Sequence, residues 1–515
     1  MTMRETDSRA PAAPARDRMT FSRDRISAGL LGLALGDALG VPVEFSGRAE
    51  READPVRGMR AGGPWRQEAG TFSDDTSLAL CQAESIVLRG FDPEDFGRRA
   101  LAWLDEGLWT ARGAAFDCGG ATRRALAAIR AGTAAVRAGG RGEGDNGNGA
   151  LMRILPASAW LAETPEPARF RALAAFTAVT HGHPRAALAS WLHCLVAGRL
   201  LAGLAPTEAY AEAMAEARAL LPGLPAAVRR ESDACRRVLD GALGELDARS
   251  IRGSGYVVEC LEAALWCLVR SRGFADCVLA AVNLGEDADT TAAVAGGLAG
   301  LAYGRASLPA EWLAALARAP EIERLGRRLG ELAARAESAE RSYWVLPGKL
   351  LAGPYPFAPA RAEGIARLAS LLDAGVEAFL DLTEEGEVLR GLPVQPYGTE
   401  LERLAASRGL AAGHVRVPIR DMSAASEDSL ERALREIDGA LAAGKTLYVH
   451  CLGGVGRTGT AIGSWLVERG LAAPGEAVGL LARYRDWPGA SVSPETPGQV
   501  ALVESRRPGA GALQP

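Results

Sequence analysis

From about residue 22 to residue 338, apolar residues recur at three- and four-residue spacing, with Gly, Pro and Asp at the breaks. That spacing lines one face of a helix, and few β-branched clusters interrupt it. The stretch is predicted to be all-α. Near Glu340 the texture changes. SYWVLPGKLLAGPYP (342–356) has extended and turn character, and VEAFLDL (376–382), HVRVPI (414–419) and KTLYVHC (445–451) read as short apolar strands. Helical patterns at 361–373, 398–408, 425–443 and 457–469 separate or follow them. Such alternation implies an α/β domain with a central, largely parallel sheet. The chain is therefore expected to be multidomain: a disordered tail over 1–21, an all-α domain over 22–338, an α/β domain over 339–508 and a flexible end over 509–515.

A chain of 515 residues is too long for one core, which agrees with two domains. Its net charge of −5 argues against general nucleic-acid binding, which calls for a basic surface. No long uncharged apolar run is present, so no membrane partner is expected. The eight cysteines are scattered without a CxxC pair, and several sit in apolar helical runs. They suit a reducing, cytoplasmic compartment better than a disulfide framework.

The C-terminal region contains VHCLGGVGRTGTA, which follows a predicted strand and opens a predicted helix. A glycine-rich turn there aims backbone N–H groups inward and forms an anion nest, and the helix N-terminus adds partial positive charge. Cys451 is placed to act as a thiolate nucleophile. Leu452, Gly453, Gly454, Val455 and Gly456 would cradle a phosphate, Arg457 would hold two of its oxygens, and Thr458 would steady the sulfur. No metal or other cofactor is needed for this chemistry. The leaving oxygen requires an acid, and Asp421 in VPIRDMS is the candidate; a turn or capping aspartate is the alternative.

In the N-terminal region, GLALGDALGVPVEF (32–45) sets Asp37 and Glu44 in an apolar, glycine-rich segment. GTFSDDTSLAL (70–80) and VNLGEDADTTAAVAGG (282–297) each place acids and hydroxyls directly before an apolar helix. Carboxylates against a core need a positive partner, and no Lys or Arg lies between Gly273 and Tyr303. Ser73, Asp74, Asp75, Asp287, Asp289 and Thr290 together offer hard oxygen ligands, suited to two divalent ions, Mg²⁺ or Mn²⁺. Helix capping by Ser73 and Asp287 is the alternative for either stretch alone. DNGNGALMRILPA (145–157) closes a long glycine-rich loop of the kind that is usually functional.

The ordered motifs GDALGVPVEF, SDDTSLAL, FDCGGATRRAL, GNGALMRILP, THGHPRA, GSGYVVECLEAALWC and NLGEDADTTAAVAGGLAG make residues 22–305 resemble the ADP-ribosylglycohydrolases of the dinitrogenase-reductase-activating type. The resemblance implies an all-α fold and a two-metal site with the six ligands named above; Ser73 stands where many relatives have threonine. It implies further that Glu44 helps activate water or contacts the ribose, with Asp75 as another proton acceptor. Asp117 would act at the ribose. Gly147, Asn148, Gly149 and Met152 would wrap the ribose and diphosphate, and His181 and Tyr256 would line the pocket. As alternatives, Asp117 is a loop acid, His181 a helix cap and Tyr256 a core aromatic. Residues 342–505 resemble the cysteine-dependent dual-specificity and tyrosine phosphatases, most strongly over 449–460. That likeness implies Cys451, Arg457 and Asp421 as the catalytic set, and Gln499 as a water-positioning residue. The joint expectation is a bifunctional hydrolase acting on an ADP-ribosylated and a phosphorylated protein or small molecule. The alternative is a non-hydrolysing ADP-ribose reader that targets the phosphatase.

Overall fold

Gly32, Gly36 and Gly40 are four residues apart in the first helix, Ala15–Gly40, and so share one face. The helix Ala288–Tyr303 lies against that face. A Cβ on Gly36 would sit 2.0 Å from the carbonyl oxygen of Ala292, and one on Gly40 would sit 2.2 Å from Cα of Asp289. The two backbones touch because no side chain stands between them. This computed structural model describes residues 15–334, 341–358, 360–389 and 392–509. A third helix, Ala319–Ala333, packs on the first, where Gly326 meets Ser27. The segment Asp24–Val43 is apolar and long enough to cross a membrane, yet it is almost wholly buried in this helical core.

Helical structure begins at Ala15, inside the stretch 1–21 expected to lack order; residues 1–14 lie outside the described residues. Ala, Arg and Met are good helix formers, and they extend the first helix backward beyond its apolar repeat. The expected boundary at 338 and residues 510–515 also lie outside the described residues.

The C-terminal domain carries strands β1 (Tyr343–Leu346), β2 (Leu350–Gly353), β3 (Ala378–Asp381), β4 (Val388–Leu389), β5 (Leu392–Pro393), β6 (Gly413–Arg416) and β7 (Leu447–His450). Five form one sheet in the order β1-β2-β7-β3-β6. β2, β7, β3 and β6 run parallel, and β1 is antiparallel to β2. β7 is buried along its length and central, so its C-terminal end opens at the middle of the sheet edge, where α/β folds hold their sites. The four predicted helices form at Arg361–Asp373, Gly398–Ser407, Glu427–Ala442 and Gly456–Glu468. The hairpin β4–β5 was not expected: its two-residue strands are too short to show an alternation.

The turn between β1 and β2 wedges into the helical domain. Trp160 Nε1 donates to the carbonyl of Pro347 at 3.0 Å. Gly348 lies against Leu332, and Lys349 Nζ donates to the carbonyls of Leu88 at 3.2 Å and Gly444 at 3.0 Å. Arg171 pairs with Glu476 at 2.8 Å. One apolar core runs through both domains.

Candidate active sites

The helix Asp74–Arg89 starts at Ser73, whose Oγ accepts from the N–H of Asp75 at 3.3 Å. Asp74 and Asp75 occupy its first turn. Asp37 clamps that turn from the first helix. Its carboxylate accepts from Ser73 N at 2.8 Å, Thr76 N at 3.0 Å and Thr76 Oγ1 at 2.6 Å. Asp287 precedes the helix Ala288–Tyr303 but makes no side-chain cap bond. Its Oδ2 accepts instead from Asn148 Nδ2 at 2.8 Å. Thr290 Oγ1 donates to Asp75 Oδ1 at 3.2 Å, linking the two acidic stretches.

Oxygens of Asp37, Asp75 and Asp289 lie within 4.8 Å of one another, and so do those of Glu44, Asp117 and Asp289. Asp289 belongs to both groups. Asp75 Oδ2 and both oxygens of Asp289 are buried without a hydrogen-bond partner. Among the described residues, no Lys or Arg forms an ion pair with Asp37, Glu44, Asp74, Asp75, Asp117, Asp287 or Asp289. Burial, then mutual repulsion, holds Asp74, Asp75 and Asp289 well above the usual carboxylate range. Burial pushes Asp37 up to about 6, and burial followed by Asp117 pushes Glu44 up to about 9. Burial, with repulsion from Asp287, raises Asp117 to about 7. Orphaned, oxygen-only, uncompensated carboxylates are the donor set that a hard divalent cation satisfies. The residues fit a metal site, with Asp37 as a member that the sequence placed nearby but left without a role.

The loop residues arrive as a unit. Asn148 N donates to Gly255 O at 3.0 Å, and Gly147 bridges to Tyr256. Met152 is buried, and its N–H donates to Asn148 O at 3.1 Å. His181 is buried too: a Cβ on Gly149 would lie 2.8 Å from its ring, so it supports the loop from behind. It is not the cap of the following helix, which is His183. Burial, then Arg153, pushes His181 down to about 3, so the ring is neutral. Tyr256 is half-buried, and its hydroxyl accepts from Arg185 at 3.1 Å. Glu286 has a left-handed backbone at φ 60° and faces Arg252 at 3.6 Å near the surface, apart from the acid cluster.

In the second domain, β7 leads into the cradle Cys451–Val455, and the helix Gly456–Glu468 follows. Gly454 has φ +67°, and a Cβ there would fall 2.3 Å from the Gly353 carbonyl carbon. Arg485 holds the Gly454 carbonyl, and Ser493 Oγ holds that of Val455 at 2.8 Å. With these carbonyls bonded, the loop's N–H groups are left for an anion. Cys451 is buried, and the Oγ1 of Thr458 is buried without a partner. Behind them His450 Nε2 bonds the Tyr397 hydroxyl at 2.6 Å, and burial pushes the imidazole down to about 4.

Arg457 is fully buried. Its Nη2 lies 3.0 Å from Asp421 Oδ1 and donates to Glu387 Oε2 at 3.0 Å, while Nη1 bonds the other oxygen of Glu387 and the Ile419 carbonyl. Nε has no partner. Asp421, its side chain 52% exposed, is thus beside the cradle and does not cap a helix. Glu387 is the residue the sequence reading missed; it sits before β4, and no motif marks it. Gln499 is buried: Oε1 accepts from Glu495 N and Thr496 N, and Nε2 donates to Ser423 O at 3.1 Å.

The ADP-ribosylglycohydrolase family model matches residues 18–339. The chain belongs to the ADP-ribosylglycohydrolase family. It is 35% identical over 355 residues to the ADP-ribosylarginine hydrolase Tri1 of Pseudomonas putida, covering 64% of this chain and 87% of that protein. It is 32% identical over 298 residues to the ADP-ribosyl-(dinitrogen reductase) glycohydrolase of Rhodospirillum rubrum, covering 57% of this chain and 90% of that one. A solved ADP-ribosylglycohydrolase-related protein complex shares 35% identity with a TM-score of 0.51, over 61% of this chain and 99% of its own. Residues 358–471 match the model for the polymorphic toxin system DSP-PTPase phosphatase. The chain is thus a two-domain hydrolase, with a glycohydrolase domain followed by a phosphatase domain. Its glycohydrolase family is metal-dependent, and the acid cluster can hold metal.

Proposed function

We propose that the N-terminal domain releases ADP-ribose from a modified acceptor with the help of two divalent ions, Mg²⁺ or Mn²⁺, and that the C-terminal domain hydrolyses phosphate monoesters through Cys451. The observation that carries the first part is the pair of orphaned side chains, Asp75 and Asp289, inside a cluster with no cationic partner. Ser73, Asp74, Asp75, Asp287, Asp289 and Thr290 would hold the ions, with Asp37 bracing the Asp74–Arg89 helix beneath them. Divalent ions held there would supply an acidified water and a positive charge for the ribose hydroxyls. Glu44 or Asp75 accepts the water's proton, and Asp117 steadies the ribose. The loop Gly147–Gly149 with Met152 holds the ribose and diphosphate, backed by His181 and flanked by Tyr256. By its likeness to the arginine-directed relative, the acceptor is an arginine guanidinium on a protein or small molecule.

In the phosphatase domain, Cys451 attacks phosphorus and displaces the alcohol or phenol, which Asp421 protonates. Water then cleaves the phosphocysteine. Arg457 Nε and Thr458 Oγ1, both buried and partnerless, are the donors available to a phosphoryl oxygen and to the sulfur. Glu387 holds the far edge of the guanidinium in place. The free cysteines and the buried apolar first helix support a cytoplasmic location.

The test is a product assay on a panel of ADP-ribosylated acceptors and on phosphate esters, with Mg²⁺ or EDTA. ADP-ribose release is expected to need the metal and to vanish in Asp289→Ala, while Cys451→Ser loses only phosphate release. Release that survives both EDTA and Asp289→Ala would sink the metal reading.

A further inference from the structure

Three aromatic side chains stand together at the acid cluster. Phe45 and Trp65 have ring centroids 6.5 Å apart and tilted by 59°. Trp65 and Phe116 are 5.7 Å apart and tilted by 51°. Each ring is tied to a carboxylate of the site. Phe45 follows Glu44, Phe116 precedes Asp117, and Trp65 Nε1 donates to Glu44 Oε2 at 2.5 Å.

The outermost ring is held at a cost. Phe45 is 67% exposed. Its backbone is left-handed, φ 65°, which side chains rarely adopt. Asp117, beside the innermost ring, is left-handed too, at φ 55°. Phe45 N donates to Glu286 O, and Glu286 N donates to Ser46 O, both at 2.7 Å. This reciprocal pair fastens the loop. A strained, exposed phenylalanine fills no core, and strain of this kind gathers where a ligand is gripped.

A π-face beside carboxylates attracts a flat cation, and a guanidinium both stacks on aromatic rings and bonds carboxylates. We propose that Phe45, Trp65 and Phe116 form the acceptor subsite of the glycohydrolase domain, where they receive the guanidinium of the arginine that leaves as ADP-ribose is released. This rests on the arginine reading given above. The glycine-rich loop is tied to Asp287 through Asn148, whereas the ladder is tied to Glu44 and Asp117. The ladder therefore serves the end of the site where the bond breaks. There the bond from the ribose anomeric carbon to nitrogen is replaced by one to the water oxygen. One proton of the water stays on the new anomeric hydroxyl, the one taken by the carboxylate passes to the departing nitrogen, and the guanidinium carries its positive charge before and after the step. The ladder thus holds the same cation before and after the step.

The experiment uses the full chain with Mg²⁺ and two probes, agmatine and a neutral urea of the same length, titrated by calorimetry beside ADP-ribose. Wild type is expected to bind agmatine and to ignore the urea. Phe45→Ala should weaken agmatine about tenfold, Phe45→Tyr should restore it, and ADP-ribose affinity should stay within about twofold of wild type. KM for an ADP-ribosylated arginine peptide should rise in step with the agmatine loss. The exposure of Phe45 makes its truncation safe for folding, which a melting curve confirms. Equal weakening of ADP-ribose would instead make the ladder an adenosine platform and overturn the proposal. Unchanged agmatine binding in Phe45→Ala would overturn it as well. If agmatine binding behaves as expected but no acceptor releases ADP-ribose, the subsite stands and the hydrolysis reading falls.

Discussion

Asp289 keeps two buried oxygens and no donor for either. Without metal this is an expense to the fold, and its sign with pH can be worked out. Asp37, Glu44 and Asp117 have folded values of about 6, 9 and 7, all above the roughly 4 of an unfolded carboxyl. The folded state then holds protons that the unfolded state has released, so stability falls as pH rises from about 4 through about 9. The metal-free protein should melt at lower temperature at pH 8 than at pH 5.5 through this contribution. Saturating Mg²⁺ or Mn²⁺ should cancel the loss, and scanning calorimetry with and without EDTA reads both. Asp289→Asn should raise the metal-free melting temperature at pH 8 and abolish the response to metal. In the other domain, Asp421→Asn should lower kcat on a phosphate ester by roughly 100- to 10,000-fold. Glu387→Gln should cost about 100-fold in kcat/KM by loosening Arg457, with steady-state kinetics as the check. The clustered acids and the Cys451 loop were readable because each lies in a contiguous run whose chemistry has few other uses. Glu387 was not, since its role exists only once β3, β4 and the cradle meet. Asp37 was visible as an acid in an apolar helix, but its clamp on Ser73 and Thr76 depends on how two helices approach.

At the scale of elements, the contact between Ala15–Gly40 and Ala288–Tyr303 decides where the acids meet. Gly36→Ala would gain about 1 kcal/mol of helix propensity. The new methyl would land 2.0 Å from a backbone oxygen, which cannot step aside as a side chain can. Overpacking of this kind costs about 1–3 kcal/mol or more, and it also drives Asp37 away from Asp289. Urea denaturation should show a net loss of stability together with a lost metal response. Gly439→Ala, in an exposed helical position where a Cβ meets nothing, should instead stabilise by up to about 1 kcal/mol. Four helices of the second domain were legible to within a residue or two, because their apolar period was strong and turn residues bounded them, whereas the short helices Ala477–Tyr484 and Pro497–Ser505 were not. The β4–β5 hairpin was not, and neither was the start of the first helix, where propensity continues past the last apolar repeat.

At the scale of the whole molecule, the β1–β2 turn seated on Trp160, Leu332 and Leu88 makes the two domains share one core. A ligand that stabilises one folded domain should then protect both. Divalent metal, if held by the acid cluster of the helical domain, should raise the temperature at which phosphate release by Cys451 is lost. Trp160→Ala should uncouple the two, splitting one calorimetric transition into two. The order of synthesis adds a different demand. The first helix leaves the ribosome early, but the helix that covers its glycine face is made about 250 residues later, at roughly 5–20 residues per second. For tens of seconds the apolar segment Asp24–Val43 has no partner of its own. The acid cluster can close only after that wait, so chains cut before Ala288 are expected to leave Asp24–Val43 uncovered and to bind a hydrophobic dye, which fluorescence checks.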